Sequence, residues 1–142
     1  MIYVGVNTLE NLKASGRVTR TGAALGTVLN IKPLLVIRGE RLDAYAKVRG
    51  TKQCQKQLIA SMQEYAHKLR GEGAALRIGA AGSFADPEEA AHWEAMVKEA
   101  FPEDEVCYDP LTFSIACHTG PGAFGMGISS SAIEKIRKGD LA

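Results

Sequence analysis

Short apolar runs alternate with amphipathic stretches along this chain, which is the pattern of strands separated by helices. The second and third runs are separated by the letters RGE, so they are predicted to pair as a hairpin. A later stretch, TFSIACH, alternates apolar and polar residues and is predicted to be a strand. Strands are therefore predicted at residues 3–6, 34–37, 41–48, 75–82, 105–108, 112–118 and 123–128.

Two long amphipathic helices are predicted between these strands. The first begins at Thr51 and ends at Gly71. Its apolar residues form one stripe, made of Leu58, Met62, Tyr65 and Leu69. The second helix begins with Asp86 as its cap and Pro87 in its first turn, and it ends before Pro102.

Shorter helices complete the predicted set. Asn7 and Glu10 have the spacing of a capping box, and Gly16 is expected to end the helix that they begin. Residues 19–30 have a helical pattern rich in small side chains, and a tail helix is predicted from Ser131. The alternation predicts an α/β domain with two layers and a mixed sheet of about six strands.

The composition narrows the class of protein. The chain has 142 residues, 46% of them hydrophobic, and a net charge of +1. It is long enough for one domain with a core, and its near-neutral charge does not predict binding to nucleic acid. It contains no apolar run long enough for a membrane span and no signal peptide. Its three scattered cysteines predict a reduced, cytoplasmic protein without a metal site or cofactor.

A glycine-rich segment, HTGPGAFG, follows the predicted strand at residues 112–118. GPGAFG matches the spacing G-x-G-x-x-G, but no βαβ unit can follow it, so a dinucleotide site is not predicted. Glycines at a strand end can instead expose N–H groups to an anion, here those of Thr119, Gly120, Gly122 and Ala123. His118 is expected on the polar side of that strand, beside these groups. The alternative is a tight turn with a surface histidine.

Two other segments could form part of a binding site. Gly22, Ala23 and Gly26 share one face of the predicted helix at 19–30, which could line an apolar tunnel or pack closely on the sheet. Arg49 lies where a strand meets a helix, so it could bind an anion or be a solvated charge. No catalytic triad or phosphate loop is present in the sequence, and no residue is predicted to be catalytic.

Three segments, in order, resemble the C-terminal domain of the DegV family. They are LENLKASGR with the following NIKP, then KVRG before a helix, and then CHTGPGAFGMGI. The family comprises bacterial fatty-acid-binding proteins, some of which are the binding subunit of a fatty acid kinase. The resemblance covers nearly all of residues 1–142 and implies that an N-terminal lipid-binding domain is absent from this chain.

The resemblance also implies roles for particular residues. The head group of a long-chain fatty acid, or the surface that faces the kinase, would involve His118, Arg49, Thr119, Gly120 and Gly122. The acyl chain would be lined by Thr19, Gly22, Ala23, Leu25, Gly26 and Leu29. The kinase's catalytic subunit, which uses ATP to form an acyl phosphate for phospholipid synthesis, would do the chemistry, so this chain is predicted not to be an enzyme.

Two alternatives remain at the level of sequence. One is a kinase-related enzyme domain of the dihydroxyacetone kinase type, and the other is an interaction domain without a ligand. If a lipid-lining face is exposed in the isolated domain, a homo-oligomer is expected because exposed apolar surface favours association.

Overall fold

Six strands form one mixed sheet in the computed structural model, which describes residues 1–23, 31–38 and 40–131. The α/β class and the sheet of about six strands predicted from the sequence are confirmed. In chain order the elements are β1 (Ile2–Gly5), α1 (Glu10–Ala14), α2 (Arg20–Ala23), β2 (Ile31–Arg38), β3 (Arg41–Arg49), α3 (Thr51–Gly71), β4 (Ala75–Gly82), α4 (Pro87–Ala100), β5 (Glu105–Pro110), α5 (Phe113–Thr119) and β6 (Phe124–Ser131).

The sheet order is β3-β2-β1-β6-β4-β5, and only β4 and β5 are parallel. Phe124 at the start of β6 lies opposite both Gly5 and Gly82, and Gly82 lies opposite Pro110. Arg49 at the end of β3 lies opposite Ile31 at the start of β2. Four strands therefore end, and two begin, at one end of the sheet, which we call the upper end.

The long helices α3 and α4 cover one face of the sheet. The predicted stripe of α3 is confirmed, because Leu58 and Met62 are fully buried and Tyr65 and Leu69 pack against the same cluster. Trp93 of α4 is also fully buried and stacks at an angle on Phe124, with ring centroids 5.2 Å apart. Each such side chain contributes about 1.5–3 kcal/mol when fully buried.

The opposite face, which we call the second face, is only partly covered. Beneath α1 and α2 lies a smaller cluster made of Val6, Leu9, Leu12, Val18, Leu35 and Ala123. Beyond this cluster, Ile2, Gly127, Gly79 and Cys107 lie opposite one another on β1, β6, β4 and β5. These mostly small residues form the floor of a shallow groove of about 360 Å³, and Ile2 is 45% exposed.

The prediction of a strand at residues 112–118 is wrong, because this segment forms helix α5. Pro110 and Phe124 both lie opposite Gly82, so the connection begins and ends at the upper end of the sheet. Those two strand ends are about 10 Å apart across one intervening strand. A seven-residue helix spans about 10 Å, whereas seven extended residues span about 23 Å. A helix therefore matches the distance between the two strand ends, and an extended segment exceeds it.

The capping prediction for the first helix is also wrong. Leu9 is the N-cap of α1 and makes no side-chain capping bond, and the Nδ2 atom of Asn7 instead donates to the carbonyl oxygen of Pro121. For α4 the prediction is confirmed, because the Asp86 side chain accepts a hydrogen bond from the Glu88 N–H at 2.8 Å. The tail helix and residues 24–30 of the small-residue segment lie outside the described residues.

Candidate functional site

His118 lies in the last turn of α5, at the upper end of the sheet, not on the polar face of a strand. Its side chain is half-buried and makes no hydrogen bond or ion pair with any residue in the described ranges. The neighbouring Thr119 is buried, and its hydroxyl donates to the carbonyl oxygen of Ile115 at 3.4 Å. Of these two candidates, only His118 therefore has a side chain available to a ligand.

The glycine turn at residues 120–123 does not offer its N–H groups to an anion, so that prediction is wrong. The Gly120 N–H donates to the carbonyl oxygen of Ala116 at 2.8 Å, which ends the helix. The Gly122 N–H donates to the carbonyl oxygen of Ser83 at 2.8 Å, and the Ala123 N–H donates to the Ser83 hydroxyl at 3.0 Å. All three N–H groups therefore donate to other residues of this chain, and they stabilise the turn itself.

Ser83 holds this turn in place. Its hydroxyl donates to the carbonyl oxygen of Gly120 at 2.6 Å, and its N–H donates to the carbonyl oxygen of Ala123 at 2.8 Å. The left-handed backbone of Gly120 and Gly122, with φ of +77° and +72°, lets the chain bend around this side chain. Sequence reasoning missed Ser83, because no local pattern pairs a serine with a turn 37 residues later.

Arg49 is exposed at the end of β3 and forms no ion pair with the described part of the chain. It shares the upper end of the sheet with the start of β6, where the glycine turn finishes. Strands β2 and β1 lie between, so β3 and β6 are about 14 Å apart. The structure thus places Arg49 and His118 at the same end of the sheet. Arg49 precedes the connection from β3 to α3, whereas His118 lies in the connection from β5 to β6.

The predicted acyl-lining residues are only partly described. The Thr19 hydroxyl donates to the Asp43 carboxylate at 2.6 Å, and Ala23 packs against the smaller cluster on the second face. Gly22 lies within α2. Leu25, Gly26 and Leu29 lie outside the described residues, so the lining role of this segment stays a prediction.

Exposed apolar side chains lie on the same helix as His118. Helix α5 packs against α1, which covers part of the second face. Phe113 of α5 is 87% exposed and Ile115 is 48% exposed, although both are large apolar side chains. Together with the groove floored by Gly79 and Gly127 on the second face, these two side chains are what we call the uncovered apolar surface of the described chain. Such a surface can bind an acyl chain or another protein surface.

Two further findings apply only to the described ranges. No group of three or more His, Cys, Asp or Glu side chains there could hold a metal ion. Within the same ranges, no helix combines the length and the apolar character needed to cross a membrane.

Comparison with protein families and known proteins gives consistent matches. A family model described as an uncharacterised protein of the DegV family matches residues 1–131. A DegV domain-containing protein from Deinococcus radiodurans is 32% identical over 123 residues, which are 87% of this chain and 42% of that protein.

Solved structures agree with these matches. A DegV family protein from Thermus thermophilus, described as binding fatty acid, is 31% identical with a TM-score of 0.74, over 92% of this chain and 45% of that one. A fatty acid binding DegV family protein from Streptococcus agalactiae is 27% identical, also with a TM-score of 0.74, over 89% of this chain and 43% of that one. The chain spans less than half the length of these relatives. The chain belongs to the DegV family.

Proposed function

We propose that this chain contributes one wall of a fatty-acid site, with the acyl chain on the second face and the carboxyl group beside His118. The observation that carries this proposal is the uncovered apolar surface, together with a half-buried histidine on α5 that has no hydrogen-bond partner among the described residues. Related DegV proteins are described as binding fatty acid. Because they are more than twice as long, we propose that a second domain of the kind found in these longer relatives completes the site.

Chemical reasoning supports His118 as the contact to the head group. An imidazole can donate an N–H to a carboxylate oxygen in either protonation state, and partial burial strengthens that bond. The polar groups of the glycine turn are already satisfied, so the histidine side chain is the available donor in this segment. The roles of Thr119, Gly120 and Gly122 are therefore proposed to be structural.

We further propose that the upper end of the sheet faces a partner kinase. Arg49 is exposed there and can contact a phosphate or carboxylate on the partner. In this proposal the chain presents the fatty acid, and the catalytic subunit of a fatty acid kinase transfers the phosphoryl group. The cytoplasmic location predicted from the cysteines fits an ATP-dependent partner. No observation on the described residues favours the alternative of a kinase-related enzyme.

Lipid binding can be tested on the chain itself. Palmitate labelled with ¹³C at its carboxyl carbon is titrated with the purified chain, and its NMR shift is followed. We expect saturable binding that is about tenfold weaker in His118→Ala, because a hydrogen bond to a charged group is lost. His67→Ala is the matched control, since His67 is exposed on α3. Failure of palmitate to bind both to the chain alone and to the chain joined to the domain proposed to complete the site would contradict the proposal.

Presentation to a kinase needs a separate measurement. Arg49→Ala is expected to lower acyl-phosphate formation by the partner kinase while leaving palmitate affinity unchanged. Arg41→Ala is the matched control, because Arg41 is an exposed arginine at the other end of the same strand. Equal loss of turnover in both variants would argue against a specific role for Arg49.

The uncovered apolar surface also predicts self-association of this chain when it is isolated. Light scattering over a range of concentrations should detect a dimer or larger oligomer, and Phe113→Ser should weaken it because Phe113 is 87% exposed. A monomer at all concentrations would contradict this part of the proposal.

A further inference from the structure

A cleft lies at the upper end of the sheet, between the start of α3 and the start of α4. Its volume is about 250 Å³, enough for a small organic ligand. Gly122 is the only residue of the glycine turn that borders it, and His118 does not. Its lining, within the described chain, is made of Asn7, Thr51, Lys52, Gln55, Phe84, Glu89, His92 and Gly122.

The amino terminus of α3 opens into this cleft through Thr51 and Lys52. The helix has 21 residues, so its amino-terminal N–H groups carry a substantial partial positive charge. Gly50 is the N-cap and has no side chain to accept a hydrogen bond, and the first turn contains no acidic residue. The donors that a capping side chain normally satisfies are therefore available to a bound anion.

Gln55 gives an independent indication that the cleft binds a ligand. Only 5% of this residue is exposed, yet it lines the cleft, and its side chain makes no hydrogen bond to any of the residues described. A polar side chain buried to this degree normally has a hydrogen-bond partner. A ligand in the cleft that accepts from or donates to Gln55 would supply one.

The remaining side chains define the chemistry of the ligand. Lys52 supplies a full positive charge, and Thr51 and His92 supply further donors at the same cleft. We propose that this cleft binds the phosphoryl group of a small phosphate monoester. Several donors from α3 suit the three oxygens of a phosphoryl group better than the two of a carboxylate. This site does not depend on the fatty-acid proposal.

One lining residue distinguishes the ester from free phosphate. Phe84 offers an apolar ring against which an organic group can pack. This contact favours a phosphorylated organic compound over inorganic phosphate. Glu89 is negatively charged, so it weakens the binding of either phosphate.

The test is an NMR titration of the ¹⁵N-labelled full chain at low ionic strength with phenyl phosphate, inorganic phosphate and acetate. We expect phenyl phosphate to shift the amide signals of residues 51–55 and to bind about tenfold more tightly than inorganic phosphate. Absence of such shifts with either phosphate would overturn the site. Acetate binding as tightly as phenyl phosphate would overturn the assignment to a phosphoryl group, and equal binding of the two phosphates would overturn the assignment to a monoester.

Matched variants locate the binding to this cleft. Gln55→Met and Lys52→Gln should each weaken phenyl phosphate binding about tenfold, since each removes one strong donor. Gln53→Met and Lys56→Gln are the controls, because they make the same changes at exposed positions of α3 outside the cleft lining. Equal effects in the cleft variants and the controls would contradict the proposal.

A further variant tests the charge balance and also guards against misfolding. Glu89→Gln should tighten inorganic phosphate binding about threefold, because it removes a negative charge from the cleft. Thermal unfolding of each variant shows whether the fold is intact. A variant that tightens binding cannot result from unfolding, so weaker binding of phosphate to Glu89→Gln in a folded chain would count against the assignment.

Discussion

Replacing Ser83 by alanine should destabilise the whole domain, although Ser83 lies in a loop. Its hydroxyl donates to the carbonyl oxygen of Gly120 at 2.6 Å and accepts from the N–H of Ala123 at 3.0 Å. Both of these residues are buried, so water does not readily replace the lost bonds. A buried group left without its partner costs about 1–3 kcal/mol. With two such groups, we expect a loss of about 2–6 kcal/mol in the free energy of unfolding.

Urea unfolding followed by tryptophan fluorescence measures this loss directly. The chain has one tryptophan, Trp93, and it is fully buried in the core, so its emission reports on global unfolding. With a urea slope of about 2 kcal/mol per molar, the midpoint of Ser83→Ala should fall by about 1–3 M. Ser130→Ala is the matched control, because Ser130 is exposed on β6 and should change stability by less than about 0.5 kcal/mol.

A midpoint for Ser83→Ala within error of the Ser130→Ala midpoint would refute this reasoning. It would mean that the turn rearranges to satisfy Gly120 and Ala123 in another way. The two backbone hydrogen bonds between Ser83 and the turn remain in the variant, so the loss reflects the hydroxyl alone.

Three further predictions concern backbone strain and the thiols. Gly122→Ala should cost at least about 1 kcal/mol more than Gly73→Ala in the same urea assay, because a methyl group at Gly122 would collide with the Asn7 amide, whereas at Gly73 it meets no atom within 4 Å. Burial raises the pKa of the Cys54 thiol to about 11, and the positive Lys32 opposes this. The unfolded chain therefore loses that proton first, and stability should fall between about pH 9 and pH 11, less so in Cys54→Ala. An alkylating reagent at pH 8 should modify the exposed thiols before Cys54, as peptide mass spectrometry can show.

The parts of the fold with strong local signals could be predicted from the sequence. The apolar stripe of α3 repeats at helical spacing, and Asp86 followed by Pro87 is a local signal for the start of α4. These signals work because neighbouring residues alone determine whether a first turn forms and which face is apolar. The hairpin of β2 and β3 was predictable for the same reason.

Helix α5 was not predictable from its alternating pattern, because long-range topology decides its structure. Both neighbours of β6 in the sheet are already occupied by β1 and β4, so TFSIACH has no place beside that strand. Phe113 and Ile115, whose alternation predicted a strand, are exposed and therefore do not report on core packing. The one local signal of a helix is its end, where Gly120 with positive φ is followed by Pro121.

The candidate site was also hard to predict, because contacts between residues far apart in the sequence determine its structure. His118 could be selected from the sequence because it precedes a glycine turn, but the reason given for it, free N–H groups, does not hold. The Gly120 N–H donates within α5, and the N–H groups of Gly122 and Ala123 donate to Ser83 in the loop after β4. Sequence spacing carries no information about the partner in that loop. Gln55 was missed because its position on the buried side of α3 becomes unusual only when its lack of a hydrogen-bond partner is known.

The glycine turn separates two surfaces of different chemistry, and this explains its composition better than an anion nest does. On one side it follows α5 and His118, and α5 contacts α1, which covers part of the second face. On the other side Gly122 borders the polar cleft at the start of α3. A larger residue at Gly122 would collide with Asn7, whose side chain holds Pro121, so only glycine keeps this support in place. The turn therefore supports both surfaces without contributing a donor to either, and in both proposals the side chains around it carry the binding chemistry.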